Sequence, residues 1–194
     1  NISIKIAKLT RFFLKITGHK ATSLPGKVAY KIDKNVLKSL GKNTKFIFVT
    51  GTNGKTMTTH FVTNILEKHY KYVFTNESGS NMIQGIITTL LDNPKNEKTI
   101  AILEVDEANL VRINKFLKPD YIILTNIFRD QMDRFGEIYN VYKKILLGLK
   151  DCDGVKVIAN GDLPIFSYDS LKEYNPIYYG IREDGKNKKD YNLD

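Results

Sequence analysis

Residues Val49-Thr50-Gly51-Thr52-Asn53-Gly54-Lys55-Thr56 follow the apolar run Phe46-Ile47-Phe48 and lead into a helical stretch. These residue types at this spacing suit the binding of a nucleoside triphosphate. Gly51 and Gly54 allow close backbone approach to phosphate oxygens. The N–H groups of Gly51, Thr52, Asn53 and Gly54, with the helix start behind them, present partial positive charge. Lys55 is placed to reach the terminal phosphates, and the Thr56 hydroxyl to ligate Mg²⁺. The common pattern has a further glycine where this chain has Val49, so the loop is a variant. The competing reading is an ordinary glycine turn, and the strand–loop–helix context counts against it.

Three further segments could supply chemistry. Ile100-Ala101-Ile102-Leu103-Glu104 is an apolar strand ending in an acid, which makes Glu104 the candidate second ligand to Mg²⁺ beside Thr56, since this ion needs few protein oxygens when phosphates and water complete its shell. Asp106 and Glu107 follow closely, and a role as polar residues opening a helix weighs as much as a role in the site. Thr75-Asn76-Glu77-Ser78-Gly79-Ser80-Asn81 offers small polar groups to an anion, although the same residues serve as loop and capping residues. Charges of both signs crowd Thr125-Asn126-Ile127-Phe128-Arg129-Asp130-Gln131-Met132-Asp133-Arg134-Phe135-Gly136-Glu137, where a salt-bridged loop is the bland alternative. Asn160-Gly161-Asp162 ends another strand in the same manner.

The elements that must hold these residues alternate. Phe46–Thr50, Tyr72–Phe74, Ile100–Val105, Tyr121–Thr125 and Val155–Ala159 are short apolar runs rich in β-branched residues, so strands are expected there. Helices are expected over Lys55–His69, Asn81–Leu91, Ala108–Leu117 and Glu137–Leu149. This pattern implies an α/β fold with a mainly parallel sheet flanked by helices, and ligands at the carboxyl ends of the strands. Upstream, Ile2–Ile16 spaces apolar residues against Lys5, Lys8, Arg11 and Lys15, as in an amphipathic helix with a basic face. It would pack on its own domain or lie against a membrane or partner. Ala21–Gly26 reads as a loop with Pro25-Gly26 as a turn, and Val36–Leu40 as a short helix closed by Gly41. Residues 1–40 are expected to form a helical segment belonging to the same domain as the nucleotide-binding body over 41–194. From Arg182 onward the apolar periodicity fades into an exposed loop or linker.

Composition sets the remaining limits. The chain has 194 residues, of which 42% are hydrophobic, enough for a core of ordinary size. A net charge of +9 would suit nucleic acid, an anionic membrane or a polyphosphate. The lysines are dispersed and no aromatic-basic motif accompanies them, so no nucleic-acid partner is expected. Cys152 is the only cysteine, which excludes an internal disulfide and a cysteine metal cluster within this stretch. The apolar stretches are short and broken by charge, so no membrane span is expected and the cytoplasm is the default location.

Taken in order, Gly51-Thr52-Asn53-Gly54-Lys55-Thr56, Glu104, Thr125-Asn126 with Arg129-Asp130, and Asn160-Gly161-Asp162-Leu163-Pro164 resemble the central ATPase domain of the Mur ligase superfamily. Members use ATP to turn a carboxylate into an acyl phosphate that an amine converts to an amide. Peptidoglycan and folate ligases usually carry His at the position of Gln131, and folate enzymes typically have Gly-Lys-Gly-Ser in place of Gly54-Lys55-Thr56. The Arg129–Glu137 run, Glu104-Val105-Asp106-Glu107-Ala108 and Thr22-Ser23-Leu24-Pro25-Gly26-Lys27 resemble the amidating subunits of the superfamily, from about Thr22 to Gly180. Fewer residues precede the loop than a separate UDP-binding domain would need at about 100 residues.

That resemblance implies ATP and Mg²⁺ as ligands, with catalytic roles for Lys55 and Glu104. Lys55 would meet the β- and γ-phosphates, and Thr56 and Glu104 the metal. The backbone of Gly51 to Gly54 would cradle the phosphates. Asn81 would touch the γ-phosphate or the substrate carboxylate, and Asn126 and Arg129 would bind nearby. It further implies a GatD-type glutaminase as heterodimeric partner and lipid II as substrate at the inner face of the membrane. The reaction would convert the α-carboxylate of D-glutamate to D-isoglutamine. The family's four-cysteine zinc ribbon, which would hold Zn²⁺, and its C-terminal domain are not expected within these residues, and the chain alone is expected not to amidate. An amino-acid-adding Mur or folate-type ligase and a nucleotide-dependent switch protein are the alternatives.

Overall fold

The computed structural model describes residues 1–19, 21–76, 80–93, 97–128 and 135–181. Three helices come first: α1 (Ile2–Ile16), α2 (Leu24–Ile32) and α3 (Val36–Leu40). Strands and helices then alternate through β1 (Thr44–Thr50), α4 (Lys55–Leu66), β2 (Val73–Thr75), α5 (Ile83–Leu90), β3 (Thr99–Glu104), α6 (Glu107–Asn114), β4 (Tyr121–Leu124), α7 (Phe135–Lys150) and β5 (Lys156–Asn160). A 3-10 turn at Pro164–Ser167, α8 (Asp169–Lys172) and β6 (Ile177–Tyr179) follow.

The six strands form one sheet in the order β2-β3-β1-β4-β5-β6, and each neighbouring pair is parallel. In β1, alternation sends Phe46 and Phe48 into one apolar cluster and Ile47 and Val49 into another, as the two-residue period of a strand requires. The first cluster is the main core. It joins residues of α1, α2, α3, α5, α6 and α7 to the sheet, with Ile86, Leu110 and Ile145 fully buried. The second is smaller, and Val62 and Leu66 of α4 cover Val49, Ile102 and Ile123 there. Both faces of the sheet therefore carry helices, as the alternation of elements predicted.

The strand order places the site. The chain leaves β1 for β2, returns through β3 beside β1, then crosses to β4 on the other side of β1. The carboxyl end of β1 therefore lies at the point where the direction of winding reverses, the place where diverging loops in such sheets leave room for a ligand. Those loops follow β1, β3 and β4.

Two expectations required correction. Ala21–Gly26 is not a loop with a turn at Pro25-Gly26, because α2 starts at Leu24 with proline in its first turn. A first-turn residue has no intrahelical acceptor for its N–H, so proline costs nothing there. Gly26 serves close packing. A Cβ at that position would sit 1.9 Å from the Gln84 carbonyl oxygen of α5, and the Gly26 N–H donates to Thr88 Oγ1 at 2.9 Å. The other correction is β6, which sequence reading passed over. Smaller shifts affect element ends, with α4 closing at Leu66, α5 opening at Ile83 and β3 ending at Glu104. The expected linker from Arg182 lies outside the described residues.

Candidate nucleotide and cation site

β1 ends at Thr50 and α4 begins at Lys55, leaving Gly51 to Gly54 as the connection. Gly54 adopts a φ of 80° and Gly51 a φ of 134°, which side chains with a Cβ rarely tolerate. At Gly51 space decides as well. A Cβ would lie 2.3 Å from Thr125 Oγ1 and 2.6 Å from the Asn126 carbonyl oxygen. The first N–H groups of α4 have no intrahelical acceptor, so the loop and helix start together offer donors toward an anion.

The segment after β4 holds this loop in shape. Asn126 accepts from the Thr52 N–H through its carbonyl at 2.7 Å and from the Asn53 N–H through Oδ1 at 2.8 Å. Thr125 Oγ1 donates to the Asn53 carbonyl at 2.8 Å, and the Phe128 N–H donates to Thr52 Oγ1 at 3.2 Å. In this arrangement Asn126 is a buttress of the cradle. Arg129 and the run through Gln131 lie outside the described residues.

Lys55 and Thr56 point to different partners. The Lys55 ammonium folds back over the loop, donating to the Gly51 carbonyl at 2.5 Å and the Thr52 carbonyl at 3.0 Å. Thr56 Oγ1 donates to Glu104 Oε2 at 2.7 Å, bringing together from α4 and the end of β3 the two side chains expected to share a hard cation. Glu104 is only 6% exposed. Asn76 fixes the end of its strand, accepting from the Glu104 N–H at 2.8 Å and donating to the Glu104 and Ser80 carbonyls. Among the described residues no group of three or more His, Cys, Asp or Glu side chains gathers as a metal cage. The donor set is one hydroxyl and one carboxylate. This suits a cation that takes most of its oxygens from phosphate and water.

Glu107 enters the site, whereas Asp106 does not. Asp106 caps α6, accepting from the Ala108 N–H at 2.8 Å. Glu107 lies one residue further, and its Oε1 is 3.9 Å from Lys55 Nζ, buried and without a hydrogen-bond partner. Burial pushes its carboxyl above the usual range, against the weaker pull of its own backbone N–H and the Lys55 charge. Asn81 stands at the same crevice, its carbonyl accepting from the Asp106 N–H at 3.3 Å.

The structure thus gathers Gly51, Thr52, Asn53, Gly54, Lys55, Thr56, Asn81, Glu104 and Asn126 around the carboxyl ends of β1, β3 and β4. Sequence reading did not assign the anchoring done by Asn76 and Thr125, or the approach of Glu107 to Lys55. For Asn76 the available signal was its place directly after a strand, which marks a side chain able to bond back to backbone.

Comparison with known proteins fits this arrangement. A family model described as the Mur ligase middle domain matches residues 49–193. The chain is 47% identical over 180 residues to the lipid II isoglutaminyl synthase (glutamine-hydrolyzing) subunit MurT of Streptococcus pneumoniae, covering 92% of this chain and 40% of that protein. It is 34% identical over 181 residues to the subunit of the same name from Staphylococcus aureus, covering 93% and 41% respectively. The chain therefore spans about two fifths of the length of these relatives. Among solved structures, the MurF ligase of Thermotoga maritima in complex with ADP superposes with a TM-score of 0.66 at 22% identity, over 77% of this chain and 36% of that one. By its motifs, its parallel sheet and these similarities, the chain belongs to the Mur ligase family and carries that family's middle domain.

Proposed function

We propose that this chain is the ATP-binding portion of an ATP-dependent C–N ligase that amidates the α-carboxylate of D-glutamate in lipid II, giving D-isoglutamine. The observation that carries the phosphoryl-transfer half is the bond from Thr56 to Glu104 beside Lys55, at the mouth of a glycine loop. The choice of substrate is supported by the similarity to the two MurT subunits across nearly the whole chain. The same similarity supports ammonia from a GatD-type glutaminase partner, and we further propose that the reaction takes place at the cytoplasmic face of the membrane.

In the proposed reaction a carboxylate oxygen attacks the γ-phosphorus of ATP, the bond to the ADP oxygen breaks, and an acyl phosphate forms. Ammonia then bonds to the acyl carbon, phosphate leaves, and the nitrogen loses a proton to solvent. The loop backbone holds the phosphates in line, and Lys55 exchanges two carbonyl partners for phosphate oxygens. Mg²⁺, held by Thr56 and Glu104, would neutralise phosphate charge when bound. Asn126 keeps the cradle in register by bonding to two of its N–H groups.

Mass spectrometry of lipid II tests the proposal. The full-length protein, its glutaminase partner, ATP, Mg²⁺ and glutamine should together give the acid-to-amide mass decrease, and omission of any component should prevent it. Lys55→Ala should reduce the rate at least about a hundredfold while partner binding persists. Addition of an amino-acid mass instead would indicate a conventional ligase. Unchanged lipid II despite nucleotide binding would favour a switch protein.

A further inference from the structure

Helix α1 is apolar on two opposite sides. Ser3, Ile4 and Ala7 are buried, and α1 packs on α2 through that side. At about 100° per residue, Ile2, Ile6, Leu9, Phe12, Phe13 and Ile16 fall on an arc of about 120° directed away from it. These six side chains are between 39% and 73% exposed. A surface helix normally turns charge outward, and an outward stripe of this width is far from the scattered single apolar residues common on protein surfaces.

The charges around the stripe identify what it fits. Residues 2–16 include Lys5, Lys8, Arg11 and Lys15 and no acidic residue. Lys8 and Lys15 border one edge of the arc, and Lys5 lies within it, where a long stem can lie along apolar surface while its ammonium reaches outward. Arg11 turns inward, pairing with Asp92 and donating to the Thr88 carbonyl, which ties α1 to α5. A cleft of about 700 Å³ opens beside the C-terminal half of the helix, with Lys15, His19, Lys71 and the Arg11 partner Asp92 among its lining residues. No helix among the described residues is long and apolar enough to cross a membrane.

We propose that α1 is an interfacial helix by which this protein lies on an anionic lipid bilayer. The six apolar side chains enter the boundary between headgroups and acyl chains, and the lysines along the edge meet lipid phosphates. A neutral protein surface would bury the stripe and leave the cations unmatched. The anionic bilayer satisfies both. Docking of this kind stands apart from the amide-forming reaction, because it is observed as binding and needs no turnover.

Sedimentation of the full-length protein with vesicles tests the proposal. Binding is expected to vesicles of phosphatidylcholine mixed with phosphatidylglycerol, and to weaken as salt is raised. The double variant Phe12→Ser/Phe13→Ser should bind at least about tenfold more weakly. Lys8→Gln/Lys15→Gln should lose the preference over pure phosphatidylcholine. All four side chains are exposed, and circular dichroism of each variant checks that the fold persists. Equal binding to both vesicle types, or binding unaffected by the Phe variants, would overturn the proposal. So would failure to bind either vesicle, with light scattering then distinguishing a second copy on α1 from cover by the remainder of the chain.

Discussion

Lys55 and Glu107 stand 3.9 Å apart at the base of the phosphate cradle, and two opposing effects meet at the carboxylate. Burial raises its pKa, while the nearby ammonium lowers it by less. A carboxyl whose folded pKa lies above its unfolded value adds stability at pH below the unfolded value, near 4.5. That contribution is lost as pH rises through the folded value. Glu107→Gln removes the cost of a buried charge, so its melting temperature relative to the parent should be higher at pH 7 than at pH 4. Thermal denaturation at the two pH values checks this, and a loss of stability confined to pH 7 would mean that attraction to Lys55 outweighs burial. At this scale the sequence displayed the candidate phosphate loop plainly, because a glycine loop followed by Lys55 and Thr56 has few other uses. It did not display Glu107, since a carboxyl at a helix start looks the same whether it caps the helix, as Asp106 does, or turns inward. That difference is set by packing between α6 and the loop after β1.

Helix α2 shows what local signals leave out. Pro25-Gly26 carries the composition of a turn, yet both residues are helical and buried. Proline is allowed because of where the helix starts, and glycine is required because α5 presses against it. The need for glycine is not visible without the partner helix. Gly26→Ala would normally favour a helix by up to about 1 kcal/mol. Here the added methyl would meet the Gln84 carbonyl at 1.9 Å, and overpacking of this kind costs about 1–3 kcal/mol. The clash should win, so chemical denaturation should show net destabilisation of Gly26→Ala, and a stabilised variant would mean that α2 and α5 separate easily. The strands flanking the site were legible because β-branched and aromatic runs in β1, β3, β4 and β5 are bounded by polar residues. β6 was not, because Ile177-Tyr178-Tyr179 is a short run with all three residues exposed, so no buried side marks it as a strand. Its place is fixed by pairing with β5 and by the Tyr179 hydroxyl, which donates to the Leu124 carbonyl at 3.1 Å.

For the whole molecule, one feature of the winding organises the chemistry. β1 lies between β3 and β4, so the glycine loop, Glu104 and Asn126 reach one crevice from segments far apart in sequence. Alternating strands and helices foretold a parallel sheet with its ligands at this end. The order of the strands had to come from the structure, because alternation alone does not say on which side of β1 the next strand falls. The basic face of α1 was legible in the spacing of Lys5, Lys8, Arg11 and Lys15, but only the fold shows that Arg11 turns inward to Asp92 while Lys8 and Lys15 stay along the outward edge. The proposed chemistry can be followed through a single oxygen atom. If the substrate carboxylate attacks ATP, a glutamyl α-carboxylate of lipid II labelled with oxygen-18 must pass one labelled oxygen to the phosphate released on amidation. With full-length protein, glutaminase, glutamine, ATP and Mg²⁺, mass analysis should find that label in phosphate in proportion to amide formed. Amide formation accompanied by unlabelled phosphate would contradict carboxylate activation by phosphoryl transfer at this site.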